Sequence, residues 1–357
     1  MKFLLPTVPN QVFETSEDGK ASELRSFDLY QDDNFRFYFN NNFEEVVYNS
    51  DTYQNEQGHS SFFLSHLQSV AGVVISRFGL HSKVVEVGCG KGHFFSILGD
   101  SGFKELRGFD KSYQGKDGRI EKRYLNRSDL PLNADVLILR HVLEHVQNPV
   151  EFLNELREIN GKHCHFIVEV PSTDWIICNH AFWDFTYEHV NYFTEESFQR
   201  IFEQCDITQV FNGQYLLAIG DSNSLSGSQS LQKSEARSFD ELYSDLSSHS
   251  SPLYYALLHG SRLWIWGGAT KGVLILFHLL RLRADYSLSV AGIVDINPSK
   301  QNKFCAGTGV KINSPELFLA KVESGDVIII VNPNYEVEVR EFLSGMCTKS
   351  VSVVVLT

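Results

Sequence analysis

The 357-residue chain predicts an α/β protein in two successive units, each a mostly parallel sheet flanked by helices, behind a short N-terminal arm. Two observations carry this expectation and a third bounds it. Apolar runs of strand length, "KVVEVG", "ELRGFD", "ADVLILR" and "HCHFIVEVP", alternate with segments of helical periodicity such as "NPVEFLNELREI". Strands spaced by amphipathic helices require crossovers, and hence a parallel sheet. The alternation fades in a serine-rich stretch and restarts in "RLWIWGG", "TKGVLILFHLLRL", "SVAGIVD", "PELFLAKV", "DVIIIVNP" and "SVSVVVL". A chain of this length also exceeds what one hydrophobic core usually supports. The expected division is an arm over 1–55, a first α/β domain over 56–220, a linker or crossover over 221–251 and a second domain over 252–357.

Taken in order, the arm is polar and irregular, with aromatics crowded into "NFRFYFNNNFEEVVYNSDTY", and is expected to dock on the rest of the chain. From 60 to 80 apolar residues recur at helical spacing until Gly79, which is placed to end the helix. "VVEVGCGKGHFF" then follows a strand and opens a helix, where a glycine-rich turn lets backbone amides approach a ligand. Gly88, Gly90 and Gly92 are spaced GxGxG with Glu86 two residues ahead, whereas a dinucleotide fingerprint reads GxGxxG. Asp110 closes the next strand about twenty residues on, where an acid can accept hydrogen bonds from both ribose hydroxyls. The fourth strand ends at Arg140 and His141, which puts His141 at the ligand crevice. Glu144 and His145, one helical turn further, read equally as capping residues and as site residues. No metal is expected, because these side chains make no three-ligand set at a recognisable spacing.

Asn148 before Pro149, and Thr194 before Glu195 and Glu196, mark two helix starts. Between them, "AFWDFTYEHVNYFTEESF" sets Glu188 and His189 among aromatic rings, of which Phe182, Trp183, Phe185 and Phe193 read as core. An imidazole titrates near working pH and suits proton abstraction, and a neighbouring carboxylate can hold its tautomer. The stretch 221–251 carries one short helical pattern, at 238–246. In the second unit "WGGATKGVL" is another strand–turn–helix: Gly267, Gly268 and Gly272 free the backbone, Lys271 is a point cation for phosphate, and Asp295 ends the following strand.

A net charge of -13 argues against nonspecific nucleic-acid binding, which depends on clustered Lys and Arg. The six cysteines are scattered without a CxxC pair, so neither a disulfide framework nor a zinc ribbon is expected. The start, "MKFLLPTVPNQ", is too short for a signal sequence, and no segment has the apolar length to span a membrane. A soluble, cytoplasmic protein is expected.

The loop at 84–95 resembles motif I of the class I S-adenosylmethionine-dependent methyltransferases. Three longer stretches, "EVPSTDWIICNHAFWDFTYEHVNYFTEESF", "LWIWGGATKG" and "GIVDINPSKQNKFCAGTGVKINSPE", are similar to the C-methyltransferases of nucleotide-linked deoxysugars, over about residues 40–340. The resemblance implies a Rossmann-like methyltransferase domain followed by a second Rossmann-like domain that helps bind the nucleotide sugar. It implies S-adenosylmethionine held by Glu86, Gly88, Gly90, Gly92, Asp110 and His141. His189 would be the base that forms an enolate, with Glu188 orienting it or holding the sugar, and Tyr187, Tyr192 and Tyr53 near the developing oxyanion. His141 joins them at the reacting end, and Gly268, Lys271, Asp295, Asn297 and Lys300 line the substrate side, with Lys303 assisting. Two departures stand out. The family often begins with a cysteine-based zinc module, but Gln31 and Asn34 occupy those places; Thr186 and Tyr187 replace its usual tyrosine and histidine. The expected partner is a nucleotide-sugar substrate, with a homodimer left open. Sugar N- or O-methylation is the nearest alternative, and a two-domain NAD-binding oxidoreductase the alternative from another class.

Overall fold

The strand Val84–Val87 lies between Leu106–Phe109 and Val136–Arg140, and both run parallel to it. The chain visits one side of this strand and then the other, so the carboxyl ends of 84–87 and 136–140 form a topological switch point, where a crevice opens. The computed structural model describes residues 3–46, 52–55, 57–229, 231–236, 262–282 and 290–356. The helix expected at 238–246 lies outside the described residues, as does much of the expected crossover.

Seven strands form the first sheet, in the order Cys205–Val210, Tyr215–Asp221, His165–Pro171, Val136–Arg140, Val84–Val87, Leu106–Phe109, Ile120–Glu121. His165–Pro171 continues the parallel set, and the hairpin 205–221 adds the antiparallel edge. Apart from Glu86, Arg140, His165 and Glu169, the strands 84–87, 136–140 and 165–171 are apolar, because helices cover both faces. Along 136–140, Val136 and Ile138 pack with helices Ser61–Phe78 and His93–Asp100, while Leu137 and Leu139 pack with Pro149–Asn160 and Glu195–Ile201. The helix ends follow the local signals. Gly79 ends the helix Ser61–Phe78 at φ 75°, Pro149 opens its helix, though the Asn148 side chain makes no cap, and Thr194 forms a capping box with Ser197.

The second sheet is parallel throughout, ordered Ile312–Asn313, Val290–Val294, Leu263–Trp266, Val327–Ile330, Ser352–Val355. The arm differs from the irregular segment expected. Its strands pair with remote ones: Val12–Phe13 with Phe304–Cys305, Tyr38–Asn40 with Asn191–Tyr192, and Leu29–Asp32 with Lys233–Ala236. Strands of two to four residues carry too little alternation to read, and these form because a distant edge completes their hydrogen bonding. Asp32, fully buried, ties the hairpin around Gln31 and Asn34 by accepting from Phe35 N and Gln232 N, both at 2.7 Å.

Polar ties join the two sheets. Gln214 Nε2 donates to Asn332 Oδ1 at 2.8 Å, and Glu338 accepts from Ser60 Oγ and Phe62 N at the start of the helix Ser61–Phe78. Phe182, Trp183 and Phe185 are buried in one core with Val273, Leu274 and Leu276 of the helix Thr270–Leu282. Among the described residues no helix is long and apolar enough to cross a membrane.

Candidate active site

The first glycine turn sits at the switch point. Gly88, Gly90 and Gly92 have φ of 75°, 55° and 83°, a region that L side chains enter at a cost. A Cβ on Gly88 would lie 2.4 Å from Val142 Cγ2, so glycine lets the turn close against the segment after the fourth strand. Above Gly90 nothing lies within 4 Å of a Cβ position. Gly90 N donates to Asp110 Oδ2 at 2.7 Å, and Ser112 fixes Oδ1 through its amide and hydroxyl at 2.7 and 2.6 Å. Glu86 is 2% exposed, and its Oε2 is buried without a hydrogen-bond partner. Burial pushes this carboxyl up to about 7, the charges of Asp110 and Glu169 adding and Arg140 opposing. An orphaned carboxylate oxygen, open space at Gly90 and a fixed acid at the next strand's end fit a ligand that carries an ammonium and a ribose, as S-adenosylmethionine does.

Beside the turn lies a charge network that sequence reasoning missed. Glu169, fully buried, accepts from Arg140 Nε at 2.7 Å and Nη2 at 3.2 Å, and meets His66 Nε2 at 2.7 Å. His141 Nε2 stands 3.4 Å from the same carboxylate. Against burial, the Arg140 charge and the two histidines hold Glu169 well below the usual carboxylate range. His141 takes φ 53° immediately after the strand, and its Nδ1 reaches Glu144 Oε1 at 3.2 Å. Burial would lower its pKa, but Glu144 and Glu169 raise it to about 9. The available signal was Glu169 itself, a carboxylate inside an otherwise apolar strand, which needs partners to be tolerated there.

Glu188 and His189 are adjacent in sequence, but their side chains part. Glu188, 2% exposed, hydrogen-bonds the Tyr53 phenol and the Asn10 backbone and senses the Lys300 charge; burial outweighs these and pushes its carboxyl up to about 8. The His189 ring instead crosses that of His145 at 81°, centroids 4.9 Å apart. Burial, with His145 adding, drives its imidazole down to about 3, so it is neutral. The expectation that Glu188 orients His189 is therefore corrected: the chain turns here, with His189 N donating to Thr186 O at 3.2 Å, and Glu144 is the carboxylate beside the ring. The expectation of no three-ligand set is corrected too. One ligand atom each from Glu144, His145 and His189 lie within 4.8 Å of one another, because His189 arrives from a separate loop.

Tyr187 does not face a reacting group. It is fully buried, its hydroxyl donates to Asn42 O at 3.0 Å and accepts from Glu44 N at 2.8 Å, and its ring stacks on Phe43. The Tyr192 hydroxyl is likewise engaged, with both backbone groups of Thr186. On the second sheet Lys271 Nζ donates to Asp184 at 2.7 Å and Gln214 at 3.2 Å, so it locks the two halves rather than facing an open turn. Asp295 accepts from Gly268 N and Asn297 N, both at 2.7 Å. Lys300, 1% exposed, donates to Gly268 O at 3.2 Å. Lys303 pairs with Glu14 on the arm.

The family model of a methyltransferase domain matches residues 60–210, the span that holds the glycine turn, Asp110, His141 and His189. No curated protein matches the chain. Among solved structures, the plantazolicin methyltransferase BpumL, in complex with a monoazolic desmethylPZN analogue and SAH, is 13% identical over 46% of this chain and 85% of its own, with a TM-score of 0.35. A putative O-methyltransferase from Nostoc punctiforme is 15% identical over 45% of this chain and 56% of its own, TM-score 0.36. A putative methyltransferase from Bacillus halodurans is 16% identical over 41% and 69%, TM-score 0.30. The chain thus carries, over residues 60–210, a span that matches a methyltransferase domain and that contains the glycine turn.

Proposed function

We propose that the chain methylates a carbon next to the carbonyl of a nucleotide-linked keto-deoxysugar. The observation that carries this is the cluster of His189, from the aromatic loop, with Glu144 and His145, the latter two on the segment that follows the fourth strand and abuts the glycine turn through Val142. Glu86, Asp110 and the three glycines hold S-adenosylmethionine, which supplies an electrophilic methyl when bound. His189 takes the proton from the sugar carbon, and the electron pair left behind forms the enolate that the methyl then meets. Glu144, held ionised by His141 in spite of burial, stabilises the imidazolium that results. Glu188, with Oε1 unpartnered, holds a sugar oxygen at the side nearer the second sheet.

The oxidoreductase reading asks for a dinucleotide at the second turn, where the Lys300 ammonium already occupies the Gly268 carbonyl. His189→Asn tests the proposal. Methyl transfer and solvent deuterium exchange at the sugar carbon are expected to vanish, while calorimetry finds cofactor affinity within about threefold of wild type; turnover at the wild-type rate refutes the assignment. Product fragmentation separates C- from N- or O-methylation.

A further inference from the structure

Glu144 and His145 follow the fourth strand and His189 comes from the aromatic loop, yet one ligand atom from each lies within 4.8 Å of the other two. Donors about 2.1 Å from a tetrahedral ion stand about 3.4 Å apart, so the widest pair closes by little more than about 1 Å, a matter of side-chain rotation. Two independent observations aim these atoms at a ligand. Glu144 is 1% exposed; its Oε1 meets His141 Nδ1, while Oε2 is buried with no hydrogen-bond partner. At His145, Nδ1 stands 2.9 Å from the Glu188 carbonyl oxygen. That oxygen only accepts, so Nδ1 carries the hydrogen and Nε2 the lone pair. A carbonyl fixing an imidazole tautomer in this way is the usual outer support of a metal-ligating histidine.

We propose that Glu144, His145 and His189 bind a divalent transition-metal ion of the zinc class. Two imidazole nitrogens and one carboxylate oxygen suit such an ion better than magnesium or calcium, which take oxygen shells. Three protein ligands leave a position for a water or hydroxide. The inference rests on the sugar reading for its chemistry and not for its binding. With the ion in place the His189 lone pair is on the metal. The proton leaving the sugar carbon then joins a metal-held hydroxide to give water, and the carbon–hydrogen electron pair becomes the enolate. His163, His165 and Asp221, of which His163 is exposed and the others half-buried, form a second set of metal-ligating types, and it serves as the control.

The full chain, stripped by chelation, is titrated with zinc chloride against a chromophoric competitor. One tight equivalent is expected, weakened at least about 100-fold in Glu144→Gln and in His145→Gln, since loss of a ligand exceeds the 10–100-fold of an outer-shell change; His163→Gln leaves it intact. No saturable uptake by wild type, or an affinity untouched by Glu144→Gln and His145→Gln, overturns the site. Deuterium exchange into the sugar then tests the role. Exchange lost on stripping and restored by zinc supports it, whereas exchange at full rate without metal removes the ion from the reaction and leaves His189 as the base. One bound equivalent with exchange in neither state supports the site and counts against the sugar reading alone.

Discussion

At the first glycine turn the acid ending the next strand, Asp110, receives the Gly90 amide at 2.7 Å; at the second, Asp295 receives the Gly268 amide at the same distance. Both turns join a parallel strand to a helix at a switch point of their sheet. They part in what fills the space around them. At the first, Glu86 keeps an orphaned oxygen and Gly90 faces open space. At the second, Lys300 is buried with its ammonium on the Gly268 carbonyl, 3.9 Å from Asp295, and a Cβ on Gly268 would meet Asp295 at 3.1 Å. One turn leaves a buried carboxylate oxygen for a ligand to satisfy; at the other an internal ammonium already holds the turn carbonyl, and Asn297 Nδ2 is the buried atom left without a partner. Strand–turn–helix geometry is thus shared, and the site follows from unsatisfied polarity.

The sharpest way to break this contrast is to add a methyl group to the second turn. A Cβ on Gly272 would sit 1.7 Å from the Gly267 carbonyl oxygen, which is backbone and cannot yield without moving the turn. Gly272→Ala is expected to cost about 3 kcal/mol of stability in urea unfolding, with cofactor affinity of the folded protein unchanged. Weakened cofactor binding without loss of stability would show instead that the second turn serves the methyl donor.

Glu86→Gln comes next and should do the reverse. If Glu86 meets the cofactor ammonium as proposed, removing its charge is expected to cost about 2 kcal/mol of binding, roughly 30-fold in calorimetric affinity. Stability above neutral pH should not fall. The folded pKa of Glu86 lies above its ordinary value, so the native state binds the extra proton, and this carboxyl lowers stability progressively as pH rises from about 4.5 to about 7. Glutamine removes that loss.

The same group sets a pH dependence. A bound ammonium favours the carboxylate, so cofactor affinity should rise with pH through about 7 and level off above it. Below that point it should approach a tenfold loss per pH unit, about 1.4 kcal/mol. In Glu86→Gln this slope disappears; a slope that survives the substitution would assign the titration to another group.

What was legible in the chain was local. The GxGxG turn, Asp110 at the next strand's end, Gly79 as a stop and Thr194 as a start are each decided within a few residues. What was not legible depends on tertiary meeting points. His66, Arg140 and Glu169 lie on three elements and share one carboxylate, so no spacing announces them. Glu188 and His189 read as a pair because they are adjacent, yet they part in a turn, one toward Tyr53 and the other toward His145. Lys271 reads as a point cation for phosphate and Lys300 as a substrate-side residue, and both are drawn into internal bonds. Some of the arm's short strands pair within it, 3–6 with 24–27 and 29–31 with 38–40, while 12–13, 29–32 and 38–40 also need partners at 304–305, 233–236 and 191–192.

The smallest effect separates open space that a ligand fills from open space that water fills. Gly90 and Gly72 both lack any atom within 4 Å of a Cβ position, but Gly90 has φ 55° at the turn while Gly72 is an exposed residue within helix Ser61–Phe78. Gly72→Ala should stabilise the protein by about 0.8 kcal/mol through helix propensity and leave cofactor affinity unchanged. Gly90→Ala should cost about 1 kcal/mol for placing an L side chain in the left-handed region. Its methyl also projects into the space assigned to the methyl donor, so calorimetric affinity should fall at a temperature where both variants remain folded. Equal affinities in the two variants would mean that the donor does not lie against Gly90, and the contrast between the turns would then rest on Glu86 alone.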